Sequence, residues 1–293
     1  ANLGDASGAL TFNGGSLNID GTFNSTRDLV LQQTAVINTG LDGVVSSSGD
    51  VAGNGGLVKQ GGGAMTLAGT LAQAGGVTLD AGMLTLTGTN TYTGGTTLNA
   101  GVLRIQSDAN LGNAAGALTF NGGTLSINGT IASERDIQLN GNGNIVTQFG
   151  DALSSSGDVS GAGALSKDGR GVVEFTGTLS HAGGLFLNNG GMILSGSNTY
   201  TGGTKLNAGT LRVSSDANLG DAAGALTFNG GSLSSTGNLN STRDLLLQQN
   251  AVISTAAGTT LSNSGNVSGN GGLVKNGAGG MALTGSLAHA GGT

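Results

Sequence analysis

Short runs along the chain place an apolar side chain at every second position. Leu10-Thr11-Phe12, Leu17-Asn18-Ile19, Met65-Thr66-Leu67, Val77-Thr78-Leu79, Leu84-Thr85-Leu86 and Leu103-Arg104-Ile105 all follow this rule, and Leu29-Val30-Leu31 is apolar throughout. A period of two is that of a β-strand with one buried face, because successive side chains on a strand point to opposite sides. Gly-Gly, Asn-Gly, Asp-Gly and Ala-Gly pairs separate the runs. These residues supply the backbone freedom that tight corners demand. No segment sustains an i, i+3, i+4 apolar stripe, and glycine at this density penalises helix everywhere. The pattern predicts an all-β chain of short strands.

The strands belong to a longer repeat. Ala1 opens ANLGDASGALTFNGGSL, Ala109 opens ANLGNAAGALTFNGGTL and Ala217 opens ANLGDAAGALTFNGGSL. The step from Ala1 to Ala109 equals the step from Ala109 to Ala217, and no insertion or deletion interrupts either copy. The same offset relates Arg27-Asp28, Arg135-Asp136 and Arg243-Asp244. It also relates Lys59, Lys167 and Lys275, and the NTYTGGT segments at Asn90 and Asn198. The organisation read from this is one continuous domain of three copies, 1–108, 109–216 and a truncated 217–293. The chain starts and stops inside the pattern, as an excised fragment would.

Two architectures accommodate short strands with glycine corners: a hairpin-rich sandwich or barrel, and a β-solenoid in which parallel strands stack coil on coil. A long repeat without indels favours the solenoid, where each unit touches only its neighbours. The expectation is a right-handed parallel β-helix with coils of about 20–25 residues and roughly five coils per copy. At about 4.8 Å per coil it would be an elongated rod roughly 60–65 Å long, with equivalent groups recurring about every 24 Å along its side.

Composition narrows the function classes. The chain holds 60 Gly, no Pro, no Cys and no Trp, with 3% aromatic and 9% charged residues. The lack of Pro and of a Gly-X-Y period excludes collagen. The 37% of hydrophobic residues is enough for a core and argues against a disordered linker. Zero Cys excludes disulfides and cysteine-ligated metals. A net charge of −6 speaks against nucleic acid, which calls for a basic face. No stretch is apolar and long enough to cross a membrane as a helix, and the N-terminal residues do not read as a signal peptide.

The segment from Gly55 to Ile105, GGLVKQGGGAMTLAGTLAQAGGVTLDAGMLTLTGTNTYTGGTTLNAGVLRI, resembles the passenger-associated repeat of bacterial autotransporters. That pattern runs approximately GGL-x-K-x-G-x-G-x-L-x-L-x-G, then NTYTGGT, then NAGTL. It recurs from Gly163 to Val213, where GALSKDGRGVVEF replaces the opening, and begins again at Gly271 with GGLVKNGAGGMALTG. The NTYTGGT–LNAG core is the specific part, and the matching segments cover under half of the chain. The resemblance implies a secreted passenger β-helix at the surface of a Gram-negative bacterium. It also implies export through a C-terminal outer-membrane β-barrel that would be covalently linked in the parent chain. Zero Cys agrees, since a passenger crosses the outer membrane unfolded. Family members serve mostly as adhesins, in autoaggregation or biofilm formation, and some carry an enzymatic domain on a helical stalk.

Catalytic signatures are missing one after another. No Lys follows a Gly, so there is no P-loop; neither G-x-G-x-x-G nor G-x-S-x-G occurs. His181 and His289 align with Gln73 in A-G-G turn contexts, and Ser180-His181 reads as an exposed loop rather than a nucleophile with its base. The carboxylates of the second copy, Glu134, Asp136, Asp151, Asp158, Asp168 and Glu174, could serve a carbohydrate-active enzyme but read more simply as solubilising charge. Turns such as Leu41-Asp42-Gly43 hint at calcium, but the G-G-x-G-x-D nonapeptide is missing, so neither metal nor cofactor is expected.

The expected function is therefore that of a non-catalytic repetitive adhesin. A passive stalk bearing a separate head is the alternative, and a β-helical carbohydrate-active enzyme ranks third. Expected partners are a second copy of the chain through lateral self-association, or a host or abiotic surface, with extracellular matrix or glycan included. The repeated surface candidates are Arg27, Asp28, Arg135, Asp136, Arg243, Asp244, Asn90, Thr91, Thr93, Asn198, Thr199 and Thr201. For Arg-Asp the preferred role is a corner that bonds backbone groups, and for the Tyr within NTYTGGT it is packing against a coil corner.

Overall fold

A computed structural model describes residues 8–293, so the ANLG opening at Ala1 lies outside the described residues. The chain divides into two compact units, Ala1–Gly143 and Asn144–Thr293, and each is a parallel β-helix with three sides per coil. Every described strand pair is parallel: Leu10 lies beside Leu29, Leu29 beside Val51, Leu57 beside Val77, Val77 beside Thr96 and Thr96 beside Leu118. Coils differ slightly in length, as the shorter step from Leu10 to Leu29 and the longer one from Leu29 to Val51 show. The hairpin-rich alternative is excluded, because hairpins make antiparallel pairs.

Alternation does the packing. Strands such as Val77–Leu79, Ile137–Leu139, Leu185–Leu187 and Leu245–Leu247 bury their outer residues and leave the middle one half-exposed. The inward residues stack as ladders of Leu, Val and Ile, joined by Phe120, Phe175 and Phe228, which are fully buried. Leu29, Ile137 and Leu245 occupy equivalent places and are 5%, 4% and 4% exposed.

The copies and the coils do not keep step. From Leu10 the same side is reached again at Leu29, Val51, Leu71 and Asn90, and a fifth time at Asn110. The equivalent of Leu10 one copy later is Leu118, on the next side, paired with Thr96 and Ile137. The second unit shows the same advance. Ala152–Ser155 pairs with Val172–Phe175, while its equivalent Thr260–Asn263 lies in a different sheet with Leu239–Ser241 and Gly280–Leu283. One copy thus spans five coils and one further side. Equivalent groups in adjacent copies point out of different sides, about a third of a turn apart, and the expectation of a single repeating side is corrected. The physical reason is that the length of a copy is not a whole number of coils.

Two short 3-10 helices, Asp108–Leu111 and Asp216–Leu219, stand where the strand pattern lapses, each opened by a serine capping box (Ser107, Ser215). The alternation predicted no helix at all; four residues are too few to generate a helical stripe.

The interior also holds polar side chains. Lys59 and Lys167 are buried, and each Nζ donates to three backbone carbonyls: Gln60, Gly61 and Ala81 at 2.8, 2.8 and 3.1 Å, and Asp168, Gly169 and Asn189 at 2.8, 2.6 and 3.2 Å. Desolvation pulls both ammonium groups down to about 8, with Asp168 partly offsetting it for Lys167. His181 is likewise buried, which overturns its reading as an exposed loop residue. Leu179 faces inward, and the period of two carries His181 inward with it. Its ring stacks on Tyr200 with centroids 5.3 Å apart and 15° between planes. Neither ring nitrogen has a hydrogen-bond partner of normal geometry. Burial pulls His181 down to about 4, and the Gly184 backbone offsets only part of this.

Two outcomes follow from this core. Ile137→Asp should destabilise the first unit by at least about 2–4 kcal/mol, since it loses an apolar side chain and buries a carboxylate without a partner. A thermal melt within about a degree of the parent would refute the inward placement. Between pH 6.5 and about 4 the unfolded chain protonates His181 while the folded chain does not, so this group's contribution is intact above pH 6.5 and is lost as pH falls towards 4. The parent should lose up to about 3 kcal/mol more than His181→Gln over that window. Denaturant titrations of both proteins at pH 7 and pH 4 measure it, and equal losses would show that His181 is not buried neutral.

Candidate functional site

The twelve repeated candidates fall into three structural groups. The arginines are corner staples. In all three copies the backbone N–H of the arginine donates to the serine two residues earlier: Arg27 to Ser25, Arg135 to Ser133 and Arg243 to Ser241, at 3.1, 3.3 and 3.2 Å. The Arg135 side chain is 3% exposed and caps the turn after the first 3-10 helix. Its Nε donates to Asp108 Oδ1 at 2.9 Å, and its terminal nitrogens donate to the carbonyls of Gly112, Asn113 and Gly116. Arg243 repeats the arrangement with Asp216, Gly220, Asp221 and Gly224. Arg27, only half-buried, reaches the Gly8 carbonyl at 2.7 Å. Only a guanidinium offers enough donors in one plane for such a set.

The neighbouring aspartates face outward. Asp28, Asp136 and Asp244 are exposed, and Asp28 and Asp244 accept from the backbone N–H of Asp50 and Asn266 on the next coil, both at 2.9 Å. Asp50 does the same for Thr70 at 2.8 Å. These carboxylates tie coil to coil along an edge.

The NTYTGGT segments divide residue by residue. Asn90 and Asn198 are buried; each accepts from the N–H of a leucine (Leu71, Leu179) and donates to the carbonyl of an asparagine in the following 3-10 helix (Asn110, Asn218). Tyr92 and Tyr200 are fully buried with their hydroxyls 2.6 Å from Thr96 and Thr204. Burial drives both phenols up, Tyr92 to about 12. Thr91, Thr93, Thr199 and Thr201 are exposed, with Thr93 and Thr201 bonded to the carbonyls of Ala74 and Ala182. The threonines and aspartates therefore remain on the surface, while Arg135, Arg243 and both asparagines are committed to internal partners.

A feature that the motifs did not single out is a ladder of amide and carboxylate side chains. In the first unit, Asn140 donates to Asn121, Asn121 to Asn99, and both Asn99 and Gln60 to Asp80, at 3.0, 2.6, 2.6 and 2.9 Å. The second unit stacks Asn229, Asn207, Asn188 and Asp168 in the same way. Its signal in the sequence is an Asn, Asp or Gln closing successive strands of one side, as at Gln60, Asp80, Asn99, Asn121 and Asn140. Among the described residues no three His, Cys, Asp or Glu side chains gather as a metal site.

Removing a staple should be costly. Arg135→Ala leaves the Gly112, Asn113 and Gly116 carbonyls and Asp108 without their partner, and an expected loss of about 2–4 kcal/mol is measurable by denaturant unfolding. Arg135→Lys should recover little of it, because three donors on one nitrogen cannot span the set; full recovery would contradict the assigned geometry.

Comparison with known proteins places this architecture. The passenger-associated-transport-repeat model matches residues 57–84, 79–105, 189–213 and 273–293. The haemagglutinin repeat model matches residues 5–55 and 113–174. The two alternate along the chain, the first covering the NTYTGGT half of a copy and the second the Arg-Asp half. A 34-residue stretch, 12% of this chain, is 59% identical to the adhesin BmaC autotransporter of Brucella suis biovar 1 (strain 1330) and spans 1% of that protein's length. No solved structure matches the chain. Three-sided parallel coils and the two repeat types agree, and the chain carries the repeats of bacterial autotransporter passengers, with one short stretch similar to an autotransporter adhesin.

Proposed function

We propose that this chain is an adhesive, non-catalytic passenger segment, displayed outside a Gram-negative cell, whose coil surface makes many weak contacts rather than one strong one. The observation that carries the reading is the outward face of the strands. Its half-exposed positions are dominated by hydroxyl and amide side chains, as in Thr78, Thr97, Thr119 and Gln138 on one side of the first unit. Such groups compete with water, so each contact is feeble by itself. Engaged together they gain through effective concentration. A second copy of the chain is the first partner to test, because a net charge of −6 over 293 residues repels little. The adhesin segment match supports the same class of function.

The side-stepping of copies shapes the expected behaviour. Adjacent copies turn equivalent groups to different sides, so two copies cannot press the same group against one flat wall. Contacts with several partners around the coil are favoured over a single planar contact. In bead aggregation, proteins of one, two and three copies at matched copy concentration should cluster with steeply rising efficiency per copy. Attachment to a flat rigid surface should rise less. Aggregation per copy that stays flat would favour a passive stalk and refute the adhesive reading.

A further inference from the structure

Where glycine corners of successive coils stack, the coil surface sinks into a groove. In the second unit this groove has a volume of about 320 Å³. Its floor is bare backbone: a Cβ on Gly202 would run into the Gly184 nitrogen, and Gly203 has φ +72°. Its wall carries Phe186, which faces outward and half-exposed, with ring atom Cε2 3.3 Å from the Cβ position of Gly184. Lys205 lies beside Phe186 on the next strand, and Thr227 lies beside Lys205. The Lys205 ammonium makes no ion pair or hydrogen bond among the described residues. The first unit repeats the glycine floor at Gly94 and Gly95 in a groove of about 500 Å³, but with Thr78 and Thr97 where the second has Phe186 and Lys205.

We infer that the Phe186–Lys205 groove is a binding site for a carboxylate-bearing saccharide of the hexuronate class. An aromatic face in a concave site accepts the apolar C–H face of a sugar ring. Thr227 offers a hydroxyl for the ring oxygens, Thr201, whose own proton goes to the Ala182 carbonyl, can accept from a sugar hydroxyl, and Lys205 offers the one cation a uronate carboxylate needs. The glycine floor lets the ring sit close to backbone amides. One ammonium on a chain of net charge −6 suits a sparsely charged sugar and disfavours a polysulfated one. The site names a ligand for the adhesive surface proposed above, and so rests on that reading.

The test uses isothermal titration and NMR line broadening on the full chain with three probes. Hyaluronan hexasaccharide stands for a host matrix, oligomannuronate for a bacterial one, and chitohexaose is the neutral control. Either uronate should bind more tightly than chitohexaose, and whichever binds better identifies the source. Phe186→Ala should weaken uronate binding by about tenfold. Lys205→Gln should bring uronate down to the level of the neutral control. The Thr78→Phe, Thr97→Lys double variant should create a second uronate site in the first unit, independent of any effect of Phe186→Ala on folding. No uronate binding by the parent at millimolar concentration, or unchanged binding by Phe186→Ala, overturns the assignment. Bead aggregation that persists in either of those cases would leave the adhesive reading standing while this site falls.

Discussion

Parallel stacking of coils is the constraint on which everything else in this molecule rests. A strand in a parallel β-helix satisfies its backbone only through the coils before and after it, so every coil must return to the same phase one strand spacing further along the axis. On the sides, any residue with a suitable inward partner can comply. At the corners the chain must turn while its backbone runs against the corner of the next coil. There, a Cβ on Gly94 would collide with the Gly76 nitrogen, which leaves no room for any side chain. The glycine content of the chain is the expression of that contact, and the grooves on its surface are its by-product.

The same constraint explains the buried polar groups. A corner that bends away from strand geometry leaves carbonyls without ladder partners, and these must be satisfied from inside. Lys59, Lys167, Arg135 and Arg243 do this by sending a charged group to three or more carbonyls each, and Asn90 and Asn198 do it with one amide. Such clusters hold a corner in one conformation, because few other arrangements would keep the charge hydrogen-bonded. Gln73 and His181 depart from this, as do the smaller hydroxyls of Ser47, Thr147, Ser155 and Thr255: they are equally buried, and their side-chain polar atoms lack hydrogen bonds of normal geometry. They are points where the helix is weaker than its packing suggests, and His181 makes that weakness depend on pH.

A repeat that is not a whole number of coils has a functional consequence. Identical sequence keeps identical neighbours, since the strands before and after advance to the next side together. What changes is the direction in which each copy looks. Within each unit, equivalent groups of adjacent copies therefore look out of different sides, whereas a repeat of a whole number of coils would confine them to one side. Variation between copies then adds local chemistry, as where Phe186 and Lys205 replace Thr78 and Thr97.

Strand positions and parallel coils were legible in the amino-acid order, because a period of two with glycine corners admits little else, and the inward placement of Leu29, Ile137 and Leu245 followed from the same period. His181 was legible by that rule too, two residues after Leu179, but its turn-like A-G-G flank obscured the alternation. The Arg-Asp pairs announced a corner, yet the partners of Arg135 lie 19 to 27 residues away and become visible only when coils are stacked. The amide ladder and the groove at Phe186 depend on the same stacking, since each is made by residues that are neighbours across coils. The side on which each copy faces is the clearest case. The sequence alone determined the long repeat, from Ala1 to Ala109 to Ala217. Coils of unequal length, such as Leu10 to Leu29, Leu29 to Val51 and Leu57 to Val77, carry no mark in the chain that reveals their sum. Only the hydrogen-bonded register decided that a copy ends one side further round than it began, because that register is set between coils and not along the strand.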